Sequence, residues 1–205
     1  MKFIDQLKEK AKQNKKTIVL PETSDMRTIE AAGKVLAEGI ANIILVGDKE
    51  DIMSRAGDID LSGASFVDPK NYEKFDEYVD AFVEMRRKKG MTEARAKELL
   101  LTNPLYFGCM MVKQDDADGM VAGAINASAD VLRAALQTLK TAPGTRIVSA
   151  FFLVVVPDCQ YGANGTFVFA DAGLEQNPDP EKLANIAISS ADSFKLLVGK
   201  EPVVA

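Results

Sequence analysis

Two spacings of apolar residues alternate along this chain: short continuous runs, and stripes at intervals of three and four. Phe3, Ile4, Leu7 and Ala11 follow the helical interval. Residues 17–20 form a continuous apolar run ended by Pro21, the pattern of a buried strand. Ser24 or Asp25 can cap a helix to about Glu38, with Ile29, Ala32, Val35 and Leu36 on one face and Gly39 as its stop. Residues 42–46 repeat the strand pattern, Gly47-Asp48 is a turn, and a short helix starts at Lys49. A third strand is predicted over residues 65–67. Helices are predicted over residues 72–89, ended by Gly90, and then from a Thr92 cap. A further helix runs from Asn103-Pro104 to about Lys113. A short strand of small residues (118–122) leads into a helix over residues 128–139, striped by Leu132, Ala135, Leu136 and Leu139.

After Pro143-Gly144 the texture changes. Residues 147–156 read as a long apolar strand, 161–165 as a turn, and 166–169 as a strand completing a hairpin-type pair. Asp179-Pro180 starts a helix to about Val198, and residues 202–205 resemble the beginning of another buried strand. Strands that are apolar throughout and alternate with helices signal an α/β fold, with a mostly parallel sheet flanked by helices. The predicted domains are 1–143 and 144–205.

Composition narrows the chemistry. The 205 residues are 47% hydrophobic and 27% charged, the balance of a globular protein that can bury a core. A formal charge of -5 disfavours nucleic acid or an anionic membrane as the main partner. The N-terminus lacks the apolar segment of a secretory signal, and no apolar run is long enough to span a bilayer. Two cysteines, Cys109 and Cys159, do not make a disulfide framework, and reduced thiols in the cytoplasm are expected. The chain has no histidine. Ser-His-Asp and Cys-His schemes and histidine-ligated metals are therefore excluded for these residues, leaving carboxylates, hydroxyls, thiols, Lys, Arg and backbone groups.

Several segments suit an anion. Leu20-Pro21-Glu22 ends a strand and Ser24-Asp25-Met26-Arg27 opens a helix: a phosphate-facing loop, or ordinary capping with an exposed arginine. The glycines of residues 119–128 let backbone N–H groups approach a ligand, with Asn126 and Ser128 adding side-chain hydrogen bonds and Arg133 within reach. Tight helix–sheet packing by small residues explains the same pattern. The basic cluster 86–89 completes a helix dipole, or turns one arginine, Arg86 or Arg87, into a cleft. Cys109 lies in an apolar run and is expected to be packing. Cys159 follows Pro157-Asp158 in a loop and could line a pocket mouth. Asp171 is a turn aspartate or a site residue.

Nine ordered segments carry a resemblance to the phosphate acetyltransferases: TIVLPET (17–23), DMRT (25–28), DGMVAGA (118–124), DVLRAALQ (130–137), KTAPG (140–144), VSAFF (148–152), VPDC (156–159), GTFVFAD (165–171) and IAISSA (186–191). The resemblance implies two α/β domains with a fold similar to isocitrate and isopropylmalate dehydrogenases. It also implies reversible acetyl transfer between acetyl phosphate and coenzyme A, with no catalytic metal and no bound cofactor. Coenzyme A, acetyl phosphate and phosphate are the expected small-molecule partners, and a homodimer is expected. On this likeness Arg86 and Arg133 match the family's phosphate arginines. Cys159 matches a cysteine near coenzyme A, and Asn126 and Ser128 join the substrate-binding set.

Two positions depart from the family's pattern. Many members have Pro where this chain has Ala134, and His where it has Asn126. Members continue past a strand whose match begins at Val203. The chain is therefore expected to be an N-terminal portion with its second domain incomplete. The catalytic residues (a serine, an arginine and an aspartate) are expected beyond Ala205, and little activity is expected from these residues alone. A phosphate butyryltransferase and a non-catalytic phosphate- or coenzyme A-binding module are the alternatives. A hydride-transferring dehydrogenase is disfavoured, because no dinucleotide fingerprint is present.

Overall fold

The computed structural model describes residues 3–205. The chain divides into two compact units: residues 8–140, and residues 141–205 together with 3–7. The helix α1 (Phe3–Gln13) runs through the first division point.

In the larger unit β1 (Lys16–Leu20), β2 (Ala41–Val46), β3 (Ser65–Val67) and β4 (Gly119–Met120) form one sheet in the order β3-β2-β1-β4, with every pair parallel. Successive side chains of a strand point to opposite faces. Ile18 and Leu20 of β1 and Ile43 and Leu45 of β2 therefore enter one core, with Ile29 and Ala32 of α2 (Met26–Glu38) and Ile52 and Ala56 of α3 (Lys49–Ala56). Val19, Ile44 and Val46 enter the other, built from α4 (Phe75–Arg86), α5 (Glu93–Thr102), α6 (Pro104–Lys113) and α7 (Ser128–Thr138). Seven residues of α6, 105–111, are buried, which is why its sequence is apolar on every side. Phe82 is fully buried there, a placement that contributes about 1.5–3 kcal/mol.

The capping signals were mostly legible. Asp25, rather than Ser24, caps α2 by accepting from the Arg27 N–H at 2.8 Å. Gly39 ends that helix in the left-handed conformation (φ 68°), where a Cβ would be strained. Asn103 caps α6 by accepting from the Leu105 N–H at 3.1 Å, with Pro104 in the first turn. Asn103→Ala is expected to lower stability by about 1 kcal/mol, read as a shift of the urea midpoint at unchanged slope.

Four boundaries moved. The helix predicted from residue 72 begins at Phe75, because Asp68 folds the preceding segment into a turn by accepting from the Lys70 N–H and the Asn71 side chain. Its end, predicted at residue 89, tightens into a 3-10 turn, Arg87–Lys89. The strand predicted over 118–122 shortens to Gly119–Met120, because the N–H groups of residues 123–126 turn to another acceptor. The strand predicted over 147–156 shortens to β5 (Phe151–Val155), matching the five residues of its antiparallel partner β6 (Thr166–Ala170). The Ala150 N–H goes instead to the Asp171 carboxylate at 3.0 Å.

In the smaller unit α8 (Pro180–Val198), capped by Asp179, packs on β6. The strand predicted over residues 202–205 is irregular, and Val203 is 96% exposed. A strand needs a neighbour's ladder, and β5 and β6 pair only with each other.

Candidate anion site

The sheet order puts the reversal of strand sequence between β1 and β4: the chain builds outward through β2 and β3, then returns to the opposite side of β1. In open α/β sheets the crevice at the carboxyl ends of such strands is where ligands bind. Here that crevice holds a side chain of the protein. Glu22, two residues past β1, is 2% exposed. Its Oε2 accepts from the Gly123 and Ala124 N–H groups, both at 2.6 Å. Its Oε1 accepts from the Ile125 N–H at 3.2 Å, the Asn126 N–H at 2.9 Å and Asn126 Nδ2 at 2.7 Å. Burial by itself raises the pKa of this carboxyl. The hydrogen bonds from Asn126, Ala124 and Ile125 outweigh it and hold the value at about 2. The loop over 119–128 is therefore an anion cradle, and the anion is Glu22. Gly123, at φ 111°, supplies a backbone turn that side chains disfavour.

Arg27 clamps the same loop from outside. Its guanidinium donates to the Ala124 carbonyl at 2.5 Å and pairs with Asp25 at 2.8 Å. The capping alternative for residues 24–27 is thus realised, and the arginine is spent on the loop. Asn126 has both of its N–H donor groups on Glu22. Ser128 is the exposed first residue of α7, preceded by Ala127, which provides no side-chain cap. Arg133 is on the same helix, 57% exposed, and pairs with Asp130 at 2.6 Å.

The two arginines left open by sequence separate clearly. Arg87 is exposed and pairs with Glu84. Arg86 is half-buried, and its Nε is buried with no hydrogen-bond partner among the described residues. A buried, unpaired guanidinium N–H is costly, and an acceptor oxygen relieves it. Tyr106, in the first turn of α6, was missed in the sequence because an aromatic at the start of an apolar run, with Phe107 next to it, reads as core. It is 7% exposed and rests against Phe82 at 5.8 Å between ring centroids. Burial raises its phenol pKa, and the charges of Arg133, Arg86 and Arg95 oppose that rise. Arg86 and Arg133 thus lie within electrostatic reach of one hydroxyl. Arg95, a third cation there, was also missed, since a charge in the first turn of α5 reads as a solvated face.

The remaining candidates are elsewhere. Cys109 is fully buried, and burial pushes its thiol pKa up, as befits packing. Cys159 is half-buried in the smaller unit, after β5. Asp171 accepts from the Ala150, Gly173 and Leu174 N–H groups, so its turn role is realised. Among the described residues no group of three or more His, Cys, Asp or Glu is arranged to hold a metal ion. A second polar cluster, also missed, joins Asp116 to Tyr72 (3.1 Å), Tyr78 and Lys74 (2.5 Å) and locks the start of α4.

A parallel α/β sheet whose switch-point crevice is filled by Glu22, with Arg86, Arg95 and Arg133 all acting on the Tyr106 hydroxyl, places the chain among the open α/β proteins. The chain belongs to the phosphate acetyl/butaryl transferase family, whose model matches residues 2–205. It is 54% identical over 205 residues to the phosphate acetyltransferase of Acetivibrio thermocellus and 51% identical to that of Thermoanaerobacterium thermosaccharolyticum. All of this chain is covered in both alignments, and it spans 61% and 62% of those relatives' lengths. The EutD phosphotransacetylase from Staphylococcus aureus superposes with a TM-score of 0.85 at 35% identity, over 96% of this chain and 58% of that one.

Proposed function

We propose that the protein carrying this chain is a phosphate acetyltransferase, exchanging an acetyl group between acetyl phosphate and coenzyme A. The observation that carries the reading is the buried, unpartnered Nε of Arg86, with the charges of Arg86 and Arg133 both acting on the Tyr106 hydroxyl. It is joined by 54% identity to a relative of that name across the whole chain. In the proposed reaction the coenzyme A thiolate attacks the acetyl carbonyl carbon. The S–C bond forms, the C–O bond to phosphorus breaks, and the electron pair leaves with phosphate. Arg86 and Arg133 hold the phosphoryl oxygens by charge-assisted hydrogen bonds and stabilise the charge that accumulates on the leaving group. In this reading Ser128, on the same helix as Arg133, serves acetyl phosphate, Asn126 contributes through the loop that it ties to Glu22, and Cys159 of the smaller unit is assigned to coenzyme A. The thiol's proton acceptor belongs to the part of the protein outside these residues. The reading includes a cytoplasmic homodimer, with neither nucleic acid nor membrane as partner. The chain's net charge of -5 accords with it, and no helix among the described residues is long and apolar enough to cross a membrane.

The family description also names butyryl transfer. The test is thioester formation by the whole protein with coenzyme A and a series of acetyl, propionyl and butyryl phosphates. The expected result is a kcat/KM highest for acetyl and falling with chain length. A maximum at butyryl would assign the butyryl reading, and coenzyme A binding without turnover would leave a binding module.

A further inference from the structure

Glu22 belongs to no step of the proposed reaction, yet it is the most heavily bonded side chain in the larger unit. Five N–H donors converge on its two oxygens, four from the backbone of residues 123–126 and one from the Asn126 amide. The segment that carries it is itself fixed. Thr23 Oγ1 donates to the Val46 carbonyl at 2.5 Å, and Arg55 donates to the Thr23 carbonyl at 2.6 Å. Downstream, Asn126 is followed by Ala127, the uncapped start of α7, and that helix is anchored by the fully buried Ala134 and Thr138. The path from the carboxyl end of β1 to Arg133 therefore passes through one carboxylate and one helix start.

We infer that Glu22 is a positioning residue of the phosphate pocket: by occupying the β1–β4 crevice it fixes residues 123–126, and so sets where α7 begins and where Arg133 stands. This rests on the phosphate-binding reading given above. A carboxylate is required because the cradle presents only donors. A glutamine offers one acceptor oxygen and brings an NH2 group against N–H groups, so part of the loop loses its acceptor. An aspartate keeps the charge but is one methylene short. With Glu22 in it, the crevice repels a ligand phosphate, so on the proposed reading phosphate goes to Arg86 and Arg133 instead.

The test is Glu22→Gln and Glu22→Asp in the whole enzyme, with KM measured separately for acetyl phosphate and for coenzyme A, alongside circular dichroism. For Glu22→Gln the KM for acetyl phosphate is expected to rise about tenfold, with that for coenzyme A within about twofold. Glu22→Asp is expected to fall between Gln and wild type. A loss of kcat through a smaller folded fraction, with KM for acetyl phosphate unchanged, would overturn the inference. If Glu22→Gln fails to fold, the Glu22→Asp result decides, since an unchanged KM there also overturns it. Failure of the wild-type protein to use acetyl phosphate would instead remove the phosphate reading itself, so the two failures are distinct.

Discussion

Arg86→Ala is expected to lower kcat/KM for acetyl phosphate by about 10²- to 10³-fold, while Arg87→Ala leaves it within about twofold. The contrast follows from the surroundings of two adjacent side chains. Arg87 is solvated and already paired with Glu84, so its charge is screened and its removal is nearly silent. Arg86 is half-buried and its Nε has no hydrogen-bond partner among the described residues, so in the proposed reading its guanidinium is the one not already committed to a carboxylate. Arg133 is also exposed and paired, so the expectation that Arg133→Ala is comparably damaging rests on the proposed phosphate role and on its charge acting on Tyr106 beside that of Arg86; little effect on stability is expected. Its ion pair with Asp130 is exposed and contributes at most about 1 kcal/mol. Arg133→Lys keeps the charge but loses the planar fork, and is expected to recover only part of the activity. Steady-state kinetics of the four variants, with urea unfolding as the control, checks the set. Equal losses from Arg86→Ala and Arg87→Ala would show that the cluster acts only through its summed charge.

The second large effect is on acid stability. The Glu22 carboxyl titrates at about 2 in the folded protein, against 4.5 for the free group. Between those values the unfolded chain binds more protons than the folded one, so stability rises with pH across the window. The contribution is fully present above about pH 4.5 and is lost as pH falls through about 2. Its size is on the order of 3 kcal/mol. Asp25, Asp116, Asp118 and Asp171 are also held below their ordinary values and add to the acid sensitivity of the wild type. The difference between wild type and Glu22→Gln isolates the one group. Urea unfolding from pH 2 to pH 6 is expected to show a gap of about 3 kcal/mol that closes towards pH 2. A gap independent of pH would mean that shape, not charge, fills the cradle.

Much of the larger unit was legible in the chain because its signals are local. The continuous apolar runs at 17–20 and 42–46 became strands buried on both faces, and Asp25, Gly39, Thr92, Asn103 and Asp179 each stand at the helix ends they announced. Each depends on backbone geometry within a few residues, which residue type alone controls. The loop at 119–128 was legible only as far as its glycines freeing backbone N–H groups: the sequence left anion binding and tight packing open, and the structure puts those N–H groups on Glu22.

Which anion fills that cradle could not be read from the chain, because Glu22 is about a hundred residues from the N–H groups it accepts. The same holds for the burial of Arg86 against the exposure and Glu84 pairing of Arg87, which follow from what packs around the end of α4, and for Tyr106, on whose hydroxyl the charges of distant arginines act. Strand extents also depended on partners: β4 stopped where its loop turned to Glu22, and residues 202–205 formed no strand without a neighbouring ladder. The sequence by itself determined most of the elements, their caps and the family, all of which rest on short-range sterics and ordered motifs. The tertiary structure decided charge pairing and burial, because electrostatic partners and desolvation are properties of neighbours in space, and the chain does not list those in order.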